Sequence, residues 1–213
     1  LDLGFLPSVR RILAGVPAER QTILCSATMP KDVLALAKQI LRNQVRIDAA
    51  PNAPVTADRI DQTVLRVASS GKRALLRSLL EDPRLSRVLV FTRTKHGADR
   101  LCKQLAREGL SVLAIHGNKT QGARQKALEA FRTGRARILV ATDIAARGID
   151  VAGISHVINF DLSHEPESYV HRVGRTARAG AAGIAISFCD PAEMPLLRGI
   201  QRLTPLRFAE ATV

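Results

Sequence analysis

The chain has little aromatic character: Phe, Trp and Tyr together make up 3% of its 213 residues, with no Trp and a single Tyr. Base stacking on an aromatic platform is therefore a poor candidate for its main grip on any partner. Cysteine is almost as scarce. Cys25, Cys102 and Cys189 stand far apart in apolar surroundings, which gives neither metal-ligand spacing nor a disulfide framework. A reducing, cytoplasmic setting is the expectation. No apolar run is long enough to cross a bilayer, and the start lacks the pattern of a signal peptide. Internal repeats and low-complexity segments are missing too. Gly71-Lys72 invites a phosphate-loop reading that fails, because Arg66 stands where the earlier glycine belongs and Arg73 where Ser or Thr belongs. It reads instead as a helix start. No Gly-Lys-Ser/Thr and no Asp-Glu-x-Asp occurs anywhere in the sequence.

Positive charge is abundant. The formal net charge is +13, and residues after 50 carry 25 Lys and Arg against 15 Asp and Glu. This favours a polyanionic partner, nucleic acid ahead of a membrane surface. With so few aromatics, contacts to backbone phosphates are the expected means of binding. The hydrophobic share of 46% and charged share of 24% are ordinary for a globular chain, and the length suits one or two domains.

The densest basic stretch is His171-Arg172-Val173-Gly174-Arg175-Thr176-Ala177-Arg178-Ala179-Gly180. Its arginines recur every three residues, so a helical turn would bring them near one face. Arginine grips phosphate oxygens with a planar fork, and no hydrophobic core is expected to take such a cluster. A second stretch, Ala141-Thr142-Asp143-Ile144-Ala145-Ala146-Arg147-Gly148-Ile149-Asp150, precedes it.

Patterning around these stretches is regular. Phe5 to Leu13 has helical periodicity, closed by Gly15 and Pro17; Gln21 to Cys25 reads as a short buried strand, Pro30 to Leu41 as a helix and Val45 to Ile47 as a strand. Pro51 and Pro54, among small residues, mark a linker over 49–59. Asp61 to Val67 is the next strand. From Arg87, apolar strands at 88–91, 112–115, 138–141, 156–160 and 182–188 alternate with helices, the last helix starting near Ala192. Gly109 and Gly134 stop two of these helices. Continuous apolar strands alternating with helices predict an α/β fold with a parallel sheet covered on both faces. In such a sheet, ligands gather beyond the carboxyl ends of the strands. Those ends are Thr92-Arg93-Thr94, His116-Gly117-Asn118 and Thr142-Asp143, a plausible track for a nucleic-acid backbone.

Taken together, these stretches resemble the motifs of DEAD-box RNA helicases. The 141–150 and 171–180 stretches look like the fifth and sixth motifs, and Ser26-Ala27-Thr28 after an apolar run looks like the third. Leu1 to Phe5 resembles the family's segment just beyond the Asp-Glu-Ala-Asp box. Val88 to Lys95 is similar to the fourth motif, and Gln121-Gly122-Ala123-Arg124 matches the Gln-x-x-Arg element beyond it. The resemblance covers nearly the whole chain and implies a RecA-like domain over 60–213, preceded by the remnant of a first RecA-like domain over 1–48. Val88 to Ala98 and Ala114 to Ala127 read like the bacterial RhlE-type subgroup.

The same resemblance implies roles for single residues. Arg93, Gly117, Arg124, Thr142 and Arg147 are expected to contact the RNA backbone. Gly148 and Asp150 would serve ATP, with Asp150 at the ribose, and Arg175 and Arg178 would act as arginine fingers on the γ-phosphate. His171 and Arg172 would couple that site to RNA and to Ser26 and Thr28. No metal ligand is assigned in this chain; Mg2+ is expected to be held mainly by the front of the first domain. Left alone, Thr142 would read as a helix cap, Ser26 and Thr28 as turn hydroxyls, Arg124 as a solvated charge and His171 as a satisfied helical histidine. Ala177 departs from the family, which often carries Gly there; its small methyl predicts only a subtle effect. The start at Leu1 suggests a fragment, inactive alone, of an ATP-dependent RNA helicase. The rival readings are a DNA helicase of the same superfamily and a non-catalytic RNA-binding or regulatory module.

Overall fold

The computed structural model describes residues 6–26, 29, 31–47, 59–146, 149–178, 182–203 and 209–212. The chain divides into two compact units, Leu1–Pro51 and Asn52–Val213. The expected linker over 49–59 lies, apart from Arg59, outside the described residues.

In the first unit, helices α1 (Leu6–Ala14) and α2 (Lys31–Ile40) form as the periodicity predicts. Arg10 Nη2 on α1 donates to Gln39 Oε1 on α2 at 3.2 Å. The two expected strands do not form. Gln21–Cys25 and Val45–Ile47 carry no strand structure, and Ile23, Val45 and Ile47 are 76%, 84% and 85% exposed. A strand exists through hydrogen bonds to a neighbour. Among the described residues of this unit there is no such neighbour, so apolar composition alone does not make a strand.

The second unit follows the expected pattern. Its elements are β1 (Ile60–Arg66), α3 (Lys72–Leu80), β2 (Val88–Phe91), α4 (Lys95–Arg107), β3 (Val112–Ile115), α5 (Gln121–Arg132), β4 (Ile138–Ala141), α6 (Asp143–Ala146), β5 (His156–Asn159), α7 (Pro166–Val173), β6 (Gly183–Cys189), α8 (Met194–Leu203) and β7 (Ala209–Thr212). The last strand is missing from the sequence reading. All seven strands join one sheet in the order β3-β4-β2-β5-β6-β1-β7, and every pairing is parallel.

Alternation along each strand sorts the core into two faces. Val88, Val90, Ile138, Val140 and Ile158 pack with Leu76 and Leu80 of α3 and Leu101 and Leu105 of α4. On the opposite face, Leu89, Phe91, Leu139 and Val157 pack with Ala127 and Phe131 of α5. Val64 and Ala185 continue that face beneath Tyr169 and Val173 of α7 and Leu197 and Ile200 of α8. Thr94 and Thr120 cap α4 and α5, their side chains accepting from Gly97 N and Ala123 N.

One polar cluster sits at the carboxyl edge of this sheet. Lys72, 2% exposed, is the residue that failed as a phosphate-loop lysine. Its Nζ lies 2.5 Å from Glu193 Oε2, 3.4 Å from Asp190 Oδ2 and 3.8 Å from Asp161 Oδ1. Glu193 also accepts from Leu162 N at 3.1 Å and from Asp190 N at 3.3 Å, and from Arg93 Nη2 at 2.5 Å. The cluster thus fastens together the segments that follow β1, β2, β5 and β6. Removing one partner of a buried pair strands the other charge and costs on the order of 3–5 kcal/mol. Glu193→Ala is expected to lower unfolding free energy by about that much in urea titrations. Arg73→Ala, which breaks a pair whose arginine is 52% exposed, is expected to change it by about 1 kcal/mol or less.

Candidate functional site

The carboxyl ends of β3, β4 and β2 are adjacent in the sheet, so Gly117, Thr142 and Arg93 follow three neighbouring strands. Neighbouring strands lie about 4.8 Å apart, which makes this edge a short, continuous rail. A Cβ built on exposed Gly117 would meet nothing within 4 Å, so the space beside its backbone is open to a ligand. The flanking loop is held from below. Asn118 N donates to His116 Nδ1 at 3.3 Å, and His116 Nε2 lies 3.0 Å from Asp99 Oδ1. Lys119 first, and then His116, hold the Asp99 pKa down at about 2. On α5, Arg124 Nη1 donates to Gln121 Oε1 at 3.3 Å, while its Nε is buried without a hydrogen-bond partner among the described residues. Arg93 is less free than its sequence context implied: besides Glu193, its Nε and Nη2 donate to Leu162 O, each at 3.4 Å.

The arginine-rich stretch does not present one helical face. Helix α7 ends at Val173 and is capped by Gly174, and only Arg172 lies in the helix. It turns inward and is 1% exposed, against the expectation that no core takes this cluster. A guanidinium can be buried when its donors are satisfied. Arg172 Nε and Nη2 grip Asp143 Oδ1 and Oδ2 at 2.5 and 2.8 Å, a bidentate fork. Nη1 reaches Asp161 O at 2.7 Å and Asn159 Oδ1 at 3.2 Å, and the guanidinium carbon lies 5.1 Å from the centre of the Phe91 ring. Asn159 continues the polar seam to Ser187 Oγ at 3.0 Å. Tyr169 OH donates to Gln62 Oε1 at 2.5 Å on β1, and burial pushes that hydroxyl's pKa up.

Arg175 and Arg178 lie in the turn beyond the helix, and both reach one atom. Their Nη1 groups donate to Ile149 O at 3.0 and 3.2 Å. Burial, and then the neighbouring Arg178 charge, push the Arg175 pKa below its ordinary value, while Asp150 opposes the shift. Arg178 Nη1 also lies 2.5 Å from Asp150 Oδ1. Two half-buried cations converging on one carbonyl are a fitting seat for phosphate oxygens. Phe91, Asp143, Ala146, Ser168, His171, Arg172 and Arg175 line a shallow pocket beside them. Asp150 and Arg178 currently hold one another, so a nucleotide at both would have to exchange that pair.

The geometry of this turn has a cause that sequence reading missed. Buried Thr176 donates through Oγ1 to Ile154 O at 2.5 Å. Ala177 has φ +55°, a left-handed conformation that costs a non-glycine residue roughly 1–2 kcal/mol. The relevant property of Ala177 is therefore its backbone angle, not the size of its methyl. Gly183, opening β6, packs so closely that an added Cβ would lie 2.4 Å from Thr176 Oγ1 and 2.7 Å from Ala177 N.

Of the other expected site residues, Arg147, Gly148 and Thr28 lie outside the described residues, and Ser26 belongs to the first unit. The sequence marks Asp143 only as part of a strand end and Thr176 only as part of the basic stretch, and it points to neither Asn159 nor Glu193 as a site residue. A signal existed for Asn159, a lone amide inside the apolar run of β5. Among the described residues no three His, Cys, Asp or Glu side chains gather as a metal site. No described helix is long and apolar enough to cross a membrane.

Residues 71–180, just over half of the chain, match the family model of the helicase conserved C-terminal domain. The chain is 37% identical to Escherichia coli DEAD-box protein SrmB, solved with the regulator of ribonuclease activity A, covering 74% of this chain and 92% of that one at a TM-score of 0.67. This chain belongs to the DEAD-box helicase family. The DEAD-box RNA helicase CshA of Bacillus licheniformis is 42% identical over 96% of this chain. Saccharomyces cerevisiae Dbp5, solved with RNA and ADP BeF3, superposes with a TM-score of 0.90 over 99% of this chain at 29% identity, this chain covering 56% of that one. The sheet is thus the RecA-like fold of DEAD-box proteins. The chain spans about 42% of the length of CshA.

Ala177→Gly is expected to stabilise the chain by about 0.5–1 kcal/mol, the relief of left-handed strain exceeding the added backbone entropy of glycine. Gly183→Ala is expected to destabilise it. Thermal unfolding of both variants is the measurement.

Proposed function

We propose that this chain is the finger-bearing half of an ATP-dependent RNA helicase that opens RNA duplexes locally. Residues 1–48 are the end of a first RecA-like domain, 49–59 the linker and 60–213 the second domain. The observation that carries the reading is the convergence of Arg175 and Arg178 on Ile149 O, at the end of a segment that begins at Thr142 on the strand-end rail.

ATP fits the groups present here. Arg175 and Arg178 would hold its terminal phosphate, with Asp150 at the ribose and Gly148 as a further nucleotide contact. When bound, it supplies the phosphoryl group whose hydrolysis drives the cycle. Developing charge on transferring phosphate is stabilised by fixed cations; the carbonyl of Ile149 and the strained turn hold these two in advance. His171 and Arg175 face the same pocket as Asp143, so a change at the fingers bears on the segment that starts at Thr142. RNA lies by its backbone along Gly117, Thr142 and Arg93, with Arg124 and Arg147 as further phosphate contacts. His171 and Arg172 pass changes between the two sites and, with Ser26 and Thr28, between the two domains. Mg2+ belongs to carboxylates of the other domain. A cytoplasmic bacterial enzyme of the RhlE-type subgroup is the finer reading, motivated by Val88 to Ala98 and Ala114 to Ala127.

The test uses the full-length enzyme on matched RNA and DNA duplexes. Arg175→Ala and Arg178→Ala are each expected to reduce ATP turnover by roughly 10³–10⁵ while RNA binding stays near the parental value, and the parent is expected to open RNA and not DNA. Near-parental turnover in either variant removes that finger. Equal opening of DNA favours the DNA-helicase reading, and RNA binding without turnover in the parent favours a non-catalytic module.

A further inference from the structure

The rail along the strand ends does not account for all of the basic surface. Helix α4 begins at this edge, directly after Arg93 and its cap Thr94. His96, Arg100, Lys103 and Arg107 follow at spacings of four, three and four residues, and all four are exposed. That spacing sets them in one stripe along the solvent face. At 1.5 Å of rise per residue the stripe is about 16 Å long, with cations about 4–6 Å apart along the axis.

Neighbouring acids do not neutralise it. Asp99 lies 3.0 Å from His116 and 2.9 Å from Lys119. Glu108 lies 2.7 Å from Arg73 and 3.9 Å from Arg77 of α3. The exposed arginines of α3 are thus compensated, whereas no ion pair among the described residues involves Arg100, Lys103 or Arg107. A solvated helix face needs no such asymmetry. Three uncompensated cations at nearly regular intervals suit a partner with regularly spaced negative charge.

We propose that the α4 stripe is an accessory RNA site that takes the backbone of a single strand as it leaves the rail at Arg93 and Lys95. The inference rests on the RNA-track reading and extends it to a second surface. Its start supports this occupant: Lys95 Nζ, one residue before the stripe, is 3.0 Å from Asn118 Oδ1 in the Gly117 loop, so the two basic surfaces are continuous. With no aromatic residue in the stripe, binding there is by phosphate alone and independent of base sequence.

The experiment is a salt titration of RNA affinity with the 213-residue chain, using single strands of about six and about twelve nucleotides, within the range of single-strand binding sites. The triple variant Arg100→Gln, Lys103→Gln, Arg107→Gln changes only exposed side chains. It is expected to bind the short strand as the parental chain does, and to lose most of the gain that the longer strand gives. Its slope of log affinity against log salt on the longer strand should fall by about 2, from three phosphates at about 0.7 each. Unchanged affinity and slope on the longer strand overturn the proposal. If that variant instead loses binding to polyglutamate, the stripe serves an acidic protein and the RNA assignment is wrong. Arg124→Ala tests the underlying reading separately. If it leaves the short strand bound as tightly as before, the rail itself is misassigned, whatever the stripe does.

Discussion

The functional edge of this domain depends on burying one charged group, the guanidinium of Arg172. Its bidentate hold on Asp143 joins α7 to the segment following β4, and its contacts with Asn159 and Asp161 join α7 to the end of β5. An isolated charge at 1% exposure would be prohibitive; here its electrostatic demand fixes the position of the helix. Once α7 is set, Gly174 ends it, and the turn carrying Arg175 and Arg178 leaves in a determined direction. Asp143 adjoins Thr142 on the strand-end rail, so one ion pair holds both the proposed fingers and the proposed RNA edge.

The Lys72–Glu193 cluster plays a related part on the other side of β2 and β5. It contains three carboxylates and two cations, so it adds no net positive charge to the edge. Positive charge is concentrated instead at Arg124, at the finger turn and along α4. Arg93 stands between the two regimes, with one guanidinium edge committed to Glu193 and Leu162. The carboxylate thereby limits where Arg93 can point, which favours a directed contact over a mobile surface charge.

Much of this was legible in the sequence because the second unit is locally consistent. Apolar strands at 88–91, 112–115 and 138–141, each followed directly by a polar residue, and Gly109 and Gly134 as helix stops all indicate one architecture. The failures share a cause. Gln21–Cys25 and Val45–Ile47 have strand composition, but pairing is a property of two segments, and composition reports only one. Spacing groups Arg172 with Arg175 and Arg178, although its burial depends on Asp143, 29 positions earlier. Glu193 meets Lys72 across 121 positions. The sequence shows only the small side chain of Ala177, whereas its positive φ belongs to a turn packed between Thr176 and Gly183. In each case the decisive partner is remote in the chain.

The claim that Arg172 binds the two functional edges into one unit can be tested by conservative replacement in the full-length enzyme. Arg172→Lys keeps the charge but cannot reproduce the fork to Asp143 together with the bonds to Asn159 and Asp161. RNA affinity and the stimulation of ATP turnover by saturating RNA would be measured together, at a temperature where the variant is fully folded. The account predicts that stimulation is largely lost even when RNA is saturating, because RNA and fingers are no longer held to one helix. Full stimulation in a folded variant lacking the fork would contradict it.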